Sequence, residues 1–180
     1  ACAQGIHPLS VAQPEAEDEF LMIVEIPAGS FTKYEVDKAS GLMRVDRFLQ
    51  APVVYPANYG TLPSTRAGDG DPLDALVITR EPIVPGALIQ ARAIGVLRMT
   101  DAGEADEKII AVPGSGIDAF YSDVRTLSDL PAAQVQQIEA FFRNYKQRPD
   151  GSTPVVLDGF GDVDEARGMI EAAREAYAFP

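Results

Sequence analysis

The chain has one cysteine, one histidine and no tryptophan among its 180 residues. A single thiol, Cys2, cannot form an internal disulfide, so the fold does not depend on an oxidising compartment. The single histidine, His7, lies near the start of the chain, which argues against histidine-based catalysis and against a structural zinc site. No apolar run approaches the roughly 18 residues of a membrane span.

Basic residues are also scarce, with 15 lysines and arginines against 27 aspartates and glutamates, which gives a net charge of −12. Nucleic acids and anionic membranes need a positive field, so neither is expected as a partner. A small anionic substrate remains possible if metal ions supply local positive charge. The length and the 46% hydrophobic content are typical of one soluble globular domain, which we assign to residues 1–180.

The first residues carry little pattern of their own. Residues 1–18 are rich in proline, glutamine and glutamate and are predicted to be a weakly ordered N-terminal arm. The Ala-Cys-Ala start has the small-x-small form that ends secretory signals. We expect a cytoplasmic protein, with a periplasmic or secreted location as the alternative.

Short apolar or alternating segments predict strands, and two late segments with apolar residues at helical spacing predict helices. Residues 51–68, rich in proline and glycine, are predicted to be irregular. The pattern indicates a mainly β (α+β) fold of five to seven strands, forming a small barrel or curled sheet with two helices outside it. The predicted strands are 20–26, 31–36, 42–49, 75–80, 88–99, 109–112 and 155–157, and the predicted helices are 130–147 and 162–177, the latter starting at Asp162 or Asp164.

An acidic turn, residues 69–74 (Asp-Gly-Asp-Pro-Leu-Asp), directly precedes an apolar run. Carboxylates this close repel one another unless protons or cations neutralise them, and Mg²⁺ prefers a few carboxylates together with water and substrate phosphates. The turn therefore predicts a metal site. An ordinary surface turn is the alternative, because aspartate, glycine and proline are common turn formers. An EF-hand calcium loop fits poorly, because Leu73 takes the third ligand position.

A second acidic segment, residues 100–108, follows a long predicted strand and contains Asp101 and Asp106. It is either a solvated hairpin tip or a partner of the first acidic turn. Charged residues of the early strands either converge on one cavity or form cross-strand ion pairs on a solvated face. These residues are Glu25, Lys33, Glu35 and Arg47.

Together these segments resemble the soluble family I inorganic pyrophosphatases of bacteria. The acidic turn matches the signature of that family, and the other matching segments occur in the family's order and at about its spacing over residues 20–178. They are Glu25-Ile26-Pro27, Lys33-Tyr34-Glu35, Asp37-Lys38 with Gly41, Val45-Asp46-Arg47, Tyr55-Pro56, Asn58-Tyr59-Gly60, Met99-Thr100-Asp101, Asp106 and Lys108, Ala111-Val112-Pro113 and Tyr145-Lys146.

The resemblance implies a five-stranded OB-like β-barrel with two peripheral α-helices. It also implies hydrolysis of pyrophosphate to two orthophosphates, with several Mg²⁺ ions in each active site, and a homohexamer. Mn²⁺ or Zn²⁺ are possible substitutes, and Ca²⁺ is expected to inhibit because its bonds to oxygen are longer and its geometry looser.

The resemblance also implies roles for individual residues. Asp71 would accept the proton of the attacking water, and Tyr59 would donate a hydrogen bond near Asp71. Glu25 and Tyr55 would support the site, although core packing is the alternative for both tyrosines. The expected metal ligands are Asp69, Asp74, Asp101, Asp106 and Glu35, and the expected phosphate contacts are Lys33, Arg47, Tyr59, Lys108, Tyr145 and Lys146.

The chain departs from the family's pattern in three places. Ala102 stands where a further acid is frequent, residues 152–154 lack a frequent lysine, and Phe160 replaces the usual tryptophan. Two other functions stay open at this point. One is a metal-dependent hydrolase of another phosphoanhydride, such as a nucleotide or polyphosphate. The other is a non-catalytic calcium-binding or OB-type interaction module.

Overall fold

The computed structural model describes residues 6–15 and 18–178. Five strands close into a ring, because the first strand pairs with both the second and the last member of the series. Neighbours in the ring are antiparallel except for the parallel pair β5–β8. In ring order the strands are β1 (Phe20–Ile26), β4 (Asn58–Thr61), β5 (Asp74–Val77), β8 (Lys108–Pro113) and β6 (Leu88–Asp101).

The remaining elements lie around this ring. Two strands form a separate antiparallel hairpin, and two others add to the long strand β6. The hairpin consists of β2 (Thr32–Val36) and β3 (Met43–Phe48), the strands added to β6 are β7 (Glu104–Ala105) and β9 (Val155–Gly161), and the helices are α1 (Ala132–Asn144) and α2 (Val163–Ala178). The predicted mainly β fold, five strands in a barrel-like ring with two outer helices, is confirmed.

Two apolar clusters hold the helices against the strands. Alternate residues of one strand face opposite sides, so Leu76 packs in one cluster while Ala75 packs in the other. Helix α1 covers the first cluster with Ile138, Phe141 and Phe142. Helix α2 covers the second with small and aliphatic residues. Apolar packing on both faces explains why strands such as 20–26 are almost continuously hydrophobic.

The prediction that residues 51–68 are irregular was wrong in part, because Asn58–Thr61 form β4 in the ring. Gly60 explains the error. A Cβ atom on Gly60 would lie 1.9 Å from the carbonyl oxygen of Ile23 in β1, so only glycine permits the two backbones to approach this closely. A glycine that reads as a loop signal is here a requirement of strand pairing.

The described part of the N-terminal arm is held against the ring, which differs from the predicted weak order. The Gln13 amide nitrogen donates hydrogen bonds of 2.9 Å to the carbonyl oxygens of Leu21 and Pro63. The Ser64 amide donates to the carbonyl oxygen of Leu9 at 2.8 Å. Residues 1–5, which include Cys2 and the Ala-Cys-Ala start, lie outside the described residues.

None of the helices in residues 6–15 and 18–178 combines the length and the apolar character that crossing a membrane requires.

Candidate active site

One edge of the ring gathers the two acidic segments. Because β5 and β8 are parallel, their first residues, Asp74 and Lys108, lie side by side. Strand β6 runs antiparallel to β8 and therefore ends near the start of β8, where Asp101 closes it. The chain then turns through β7, and the Asp106 amide donates to the carbonyl oxygen of Met99 at 3.0 Å. Strand register thus brings Asp74, Asp101 and Asp106 to the same edge.

Lys108 links two of these acids. Its side chain is 2% exposed, and its ammonium donates to Asp74 Oδ2 at 2.6 Å and also to Asp106. Burial alone would lower the pKa of Lys108, but the carboxylates of Asp74 and Asp106 raise it above its usual value. The lysine therefore stays charged, and the two carboxylates converge on one cation.

Tyr59 donates a hydrogen bond to Asp74, which lies in the same acidic turn as Asp71. Burial, with the charge of Asp74 as a smaller cause, raises the pKa of Tyr59 well above its usual value, so the phenol stays a donor. The neighbouring Tyr55 is 1% exposed, and its ring centroid lies 5.5 Å from that of Tyr59 and 4.5 Å from that of Phe141. Tyr55 thus connects the site to the core under α1.

The hairpin β2–β3 brings charged side chains to a second wall. Lys33 Nζ lies 2.7 Å from Asp46 Oδ2 and 3.9 Å from Glu35 Oε2. Arg44 lies opposite Glu35 across the hairpin and forms an ion pair with it. Arg47 contacts Asp46 at 3.1 Å, so it joins this network from the side and is not among the residues that line the cavity. Both interpretations from the sequence hold here, since the Lys33–Asp46 and Arg44–Glu35 ion pairs are cross-strand and most of the network faces a cavity.

The acidic turn closes a third side. Gly70 adopts a φ of +87°, a conformation that favours glycine, and the Ala67 amide donates to the carbonyl oxygen of Asp71 at 2.7 Å. The Asp69 carboxylate accepts from the Asp71 amide at 2.9 Å, and the Asp71 carboxylate forms an ion pair with Lys38. Lys38 belongs to the hairpin loop, 33 residues away in sequence, so this contact ties the hairpin to the turn.

The opposite wall comes from the end of α1 and the β6–β7 turn. Lys146 forms an ion pair with Asp101, and burial raises the pKa of the adjacent Tyr145 above its usual range. Ala102 and Gly103 have positive φ angles of 53° and 89°, as in the tight turns that favour Asn-Gly. Ala102 therefore occupies a turn conformation that suits asparagine or glycine better.

Glu25 lies deeper, with 8% of its surface exposed. Its carboxyl group accepts a hydrogen bond of 2.8 Å from the Val36 amide. Burial, reinforced by the negative charge of Asp74, raises the pKa of Glu25 from 4.5 to about 8. Glu25 is therefore protonated at neutral pH and adds no charge to the site in this state.

All these walls enclose one cavity of about 570 Å³. Nine acidic and five basic side chains line it, so the cavity is strongly negative. It brings together every predicted site residue except Arg47. The predicted residues that line it are Glu25, Lys33, Glu35, Tyr55, Tyr59, Asp69, Asp71, Asp74, Asp101, Asp106, Lys108, Tyr145 and Lys146.

Two basic residues of the cavity, Lys38 and Arg44, had no role predicted from the sequence. Arg44 had a detectable signal, because the register of a hairpin around the loop 37–41 places it opposite Glu35. Lys38 belongs to one of the segments that carry the resemblance, but its contact with Asp71 depends on the packing of the hairpin on the acidic turn and could not be predicted.

The carboxylates face cations of the protein instead of one another. Across residues 6–15 and 18–178, no three acidic, cysteine or histidine side chains form a ready-made metal-binding group. Asp71, Asp74, Asp101, Asp106 and Glu35 each contact a lysine or an arginine instead. The oxygen donors are nevertheless the hard ligands that divalent cations such as Mg²⁺ prefer, and two of them already share one cation.

Comparisons with known proteins agree on one family. The family model described as inorganic pyrophosphatase matches residues 22–178. Inorganic pyrophosphatase 2 of Pseudomonas syringae is 50% identical over 161 residues, which cover 89% of this chain and 88% of that protein. The inorganic pyrophosphatase of Pseudomonas aeruginosa is 45% identical over 167 residues, with coverage of 92% and 95%.

Solved structures give the same result. The crystal structure of inorganic pyrophosphatase from Thermus thermophilus superposes with a TM-score of 0.90 at 33% identity, covering 96% of this chain and 99% of that one. The inorganic pyrophosphatase of Helicobacter pylori superposes with a TM-score of 0.88 at 38% identity, with coverage of 93% and 98%.

Proposed function

Because this chain belongs to the family of inorganic pyrophosphatases and is an enzyme that hydrolyses pyrophosphate to phosphate, we propose that the reaction takes place in the acidic cavity and that Mg²⁺ is its cofactor. The one observation that carries this proposal is the convergence of Asp74 and Asp106, from two separate acidic segments, on the single buried cation of Lys108. We further propose that residues 1–180 form one pyrophosphatase domain.

The charge of the cavity supports a metal cofactor. Pyrophosphate is a multiply charged anion, and a cavity with more acids than bases repels it. Divalent cations bound to the carboxylates reverse the sign of the local field. The family is metal-dependent, and Mg²⁺ suits a site of carboxylates, water and phosphate, while Mn²⁺ or Zn²⁺ could occupy the same oxygens.

We assign Asp69, Asp74 and Asp106 to a first ion, and Asp101 with Glu35 to ions that accompany the substrate. When bound, such ions supply positive charge to the phosphate oxygens and lower the pKa of the attacking water. Every one of these carboxylates except Asp69 is engaged by a cationic side chain within the described part of the chain, so metal binding has to displace ion pairs. Tyr59 keeps one oxygen of Asp74 in place while this happens.

Asp71 is the proposed general base. Its carboxylate is 57% exposed at the mouth of the cavity, where it can reach a water molecule. The oxygen of that water forms the new bond to one phosphorus atom, while its proton passes to Asp71. The bond from the same phosphorus to the bridging oxygen breaks, and the second phosphate leaves with that oxygen.

Cationic side chains hold the leaving phosphate in this scheme. Lys33 and Lys146 line the cavity on facing walls and act as point charges, while the Tyr145 hydroxyl donates a hydrogen bond. Arg47 reaches the same phosphate from the edge, next to Lys33 through Asp46. Lys108 balances the acids from beneath, and Glu25 and Tyr55 support this arrangement from the buried side.

A phosphate-release assay tests the substrate and the cofactor together. We expect rapid release from pyrophosphate with Mg²⁺, none with EDTA, and much slower release from ATP or tripolyphosphate. Faster release from ATP or tripolyphosphate would favour the other phosphoanhydride hydrolases. Ca²⁺ or Mg²⁺ binding without any phosphate release would favour the non-catalytic module.

Three further properties belong to the same proposal. We propose a homohexamer, which light scattering after size exclusion tests by a mass six times that of the 19.3 kDa chain. We propose a cytoplasmic location, which fractionation of the source cells tests by the compartment that contains the activity. No nucleic-acid or membrane partner is proposed, because the net charge of −12 disfavours both.

A further inference from the structure

Two cations of the β2–β3 hairpin lie in the cavity without a role in the scheme above. Arg44 forms an ion pair with Glu35, and Lys38 forms one with Asp71. Glu35 is a proposed metal ligand and Asp71 is the proposed base. Each of these two cations therefore pairs with a carboxylate that has to bind a metal ion or accept a proton during the reaction.

The two ion pairs differ from the buried pairs of the site. The side chains of Arg44 and Lys38 are 61% and 65% exposed, whereas that of Lys108 is 2% exposed. An exposed ion pair gives little net stabilisation, because water solvates the separated charges almost as well and the long side chains lose rotamer freedom when they pair. Arg44 and Lys38 can therefore leave their carboxylates at small cost, and Lys108 cannot.

The hairpin also keeps both cations close to the cavity when they leave. Arg44 is fixed on β3 by its register opposite Glu35, and Lys38 lies in the loop 37–41, where the Gly41 amide donates to the carbonyl oxygen of Asp37 at 2.8 Å. Both side chains are long and flexible, so a change of partner requires rotation about side-chain bonds and no movement of the backbone.

We propose that Arg44 and Lys38 exchange partners during the reaction cycle, and this proposal rests on the proposed function. In the structure Arg44 pairs with Glu35 and Lys38 pairs with Asp71. When divalent ions bind to Glu35 and to Asp69 in the same turn as Asp71, the neighbouring positive side chains are repelled, and each turns to the phosphate oxygens of pyrophosphate at the mouth of the cavity. Arg44 and Lys38 thus compete with the metal before binding and bind the substrate after it.

This exchange predicts effects of opposite sign on two affinities. Arg44→Met and Lys38→Met keep the length of the side chain and remove its charge. Without the competing cation, Mg²⁺ should bind about two- to five-fold more tightly to the substrate-free protein. Without the substrate contact, methylenediphosphonate, a pyrophosphate analogue whose carbon bridge is not hydrolysed, should bind about two- to five-fold more weakly in saturating Mg²⁺.

Isothermal titration calorimetry measures both affinities on the whole chain. Arg143→Met is the matched control, because Arg143 is also 61% exposed, forms an ion pair with Glu139 on α1, and does not line the cavity. The control removes the same charge, so a general effect of net charge on Mg²⁺ binding appears in it as well. We expect the effects of opposite sign in the two hairpin variants and no such pair of changes in the control.

Each other outcome has a defined meaning. Loss of both affinities would assign the two residues a structural role and overturn the exchange, as would changes equal to those of Arg143→Met. If the wild-type chain itself fails to bind Mg²⁺ or to release phosphate from pyrophosphate, the proposed function is wrong. If the wild type binds Mg²⁺ and releases phosphate, but Arg44→Met and Lys38→Met change the two affinities no differently from Arg143→Met, the proposed function stands and the exchange is wrong.

Discussion

At the scale of single residues, Asp71 is the proposed base, and a substitution there tests the proton transfer without removing a proposed metal ligand. Its carboxylate is more than half exposed and contacts Lys38, so replacing one oxygen by an amide nitrogen leaves the fold intact. Asp71→Asn should lower the turnover number in Mg²⁺ by about 10²- to 10⁴-fold, because the amide cannot accept the proton of the water. Stopped phosphate-release assays give the rate, and thermal unfolding checks the fold. Turnover like that of the wild type would remove Asp71 from this role.

Glu25 gives the site a pH dependence of stability. Its pKa is about 8 in the folded chain and 4.5 in the unfolded chain, so between these values the folded state binds more protons. The free energy of unfolding therefore falls as pH rises through this window, and the stabilisation is fully present below pH 4.5. Glu25→Gln keeps the acceptor for the Val36 amide and removes this titration.

Urea unfolding in EDTA at about pH 5.5 and pH 8.5 measures the effect. The stability of Glu25→Gln relative to the wild type should increase by roughly 3 kcal/mol between these two pH values, because each pKa unit corresponds to about 1.4 kcal/mol. A stability difference between the two proteins that does not change with pH would show that the Glu25 carboxyl titrates normally.

Most of the residues that line the cavity could be predicted from the sequence, but their pairings could not. The acidic turn and the segment 100–108 each concentrate carboxylates within a few residues, so they are visible locally. The contact of Lys108 with Asp74 depends on the parallel register of β5 and β8, and that of Tyr59 with Asp74 depends on how the ring closes. The resemblance placed Tyr59 near Asp71, but its partner within the turn, Asp74, could not be predicted.

At the scale of secondary-structure elements, the pairing of β1 with β4 at Gly60 leaves no room for a side chain. Gly60→Ala would place a Cβ atom 1.9 Å from the carbonyl oxygen of Ile23, and backbone atoms cannot rotate away. We expect a loss of about 3 kcal/mol or more in the free energy of unfolding, because β1 and β4 have to separate. Chemical denaturation of the purified variant measures this loss.

Gly168→Ala is the matched control for the same substitution. Gly168 lies within α2, and an added Cβ atom meets nothing within 4 Å. Because alanine has a higher helix propensity than glycine, the free energy of unfolding of this variant should increase by about 0.5–1 kcal/mol. A small effect of Gly60→Ala, similar in size to that of Gly168→Ala, would mean that β1 and β4 do not approach as closely as described.

Regular elements were predictable where periodicity and length agreed. The alternating or apolar runs at 20–26 and 109–112 and the helical spacing after residue 130 led to the correct elements, with ends that differ by a few residues. Strand β4 was missed because proline and glycine around it read as loop signals, and the two-residue β7 was missed because it is stabilised by pairing with β6 alone. Strand β4 depends on pairing with a strand distant in sequence, and β7 consists of only two residues, so neither leaves a periodic pattern in the sequence.

For the molecule as a whole, the net charge of −12 makes divalent cations a stabilising ligand class. Mg²⁺ and Ca²⁺ should each raise the unfolding temperature, by about 5–10 °C at one hundred times the dissociation constant, because both bind the folded state. Ca²⁺ should nevertheless inhibit turnover, since its longer and less regular bonds place the reactants poorly. Thermal unfolding and phosphate release at constant ionic strength measure the two effects. Equal turnover in both ions would contradict the assigned roles.

The account depends on acids from two separate segments binding the same ions, and anomalous diffraction from crystals soaked in Mn²⁺ tests this most directly. Manganese scatters anomalously and takes oxygen ligands as Mg²⁺ does. We predict anomalous peaks inside the cavity, with one ion bonded to carboxylate oxygens of Asp74 and Asp106 together. Manganese bound outside the cavity, or to the residues of one segment alone, would contradict the account.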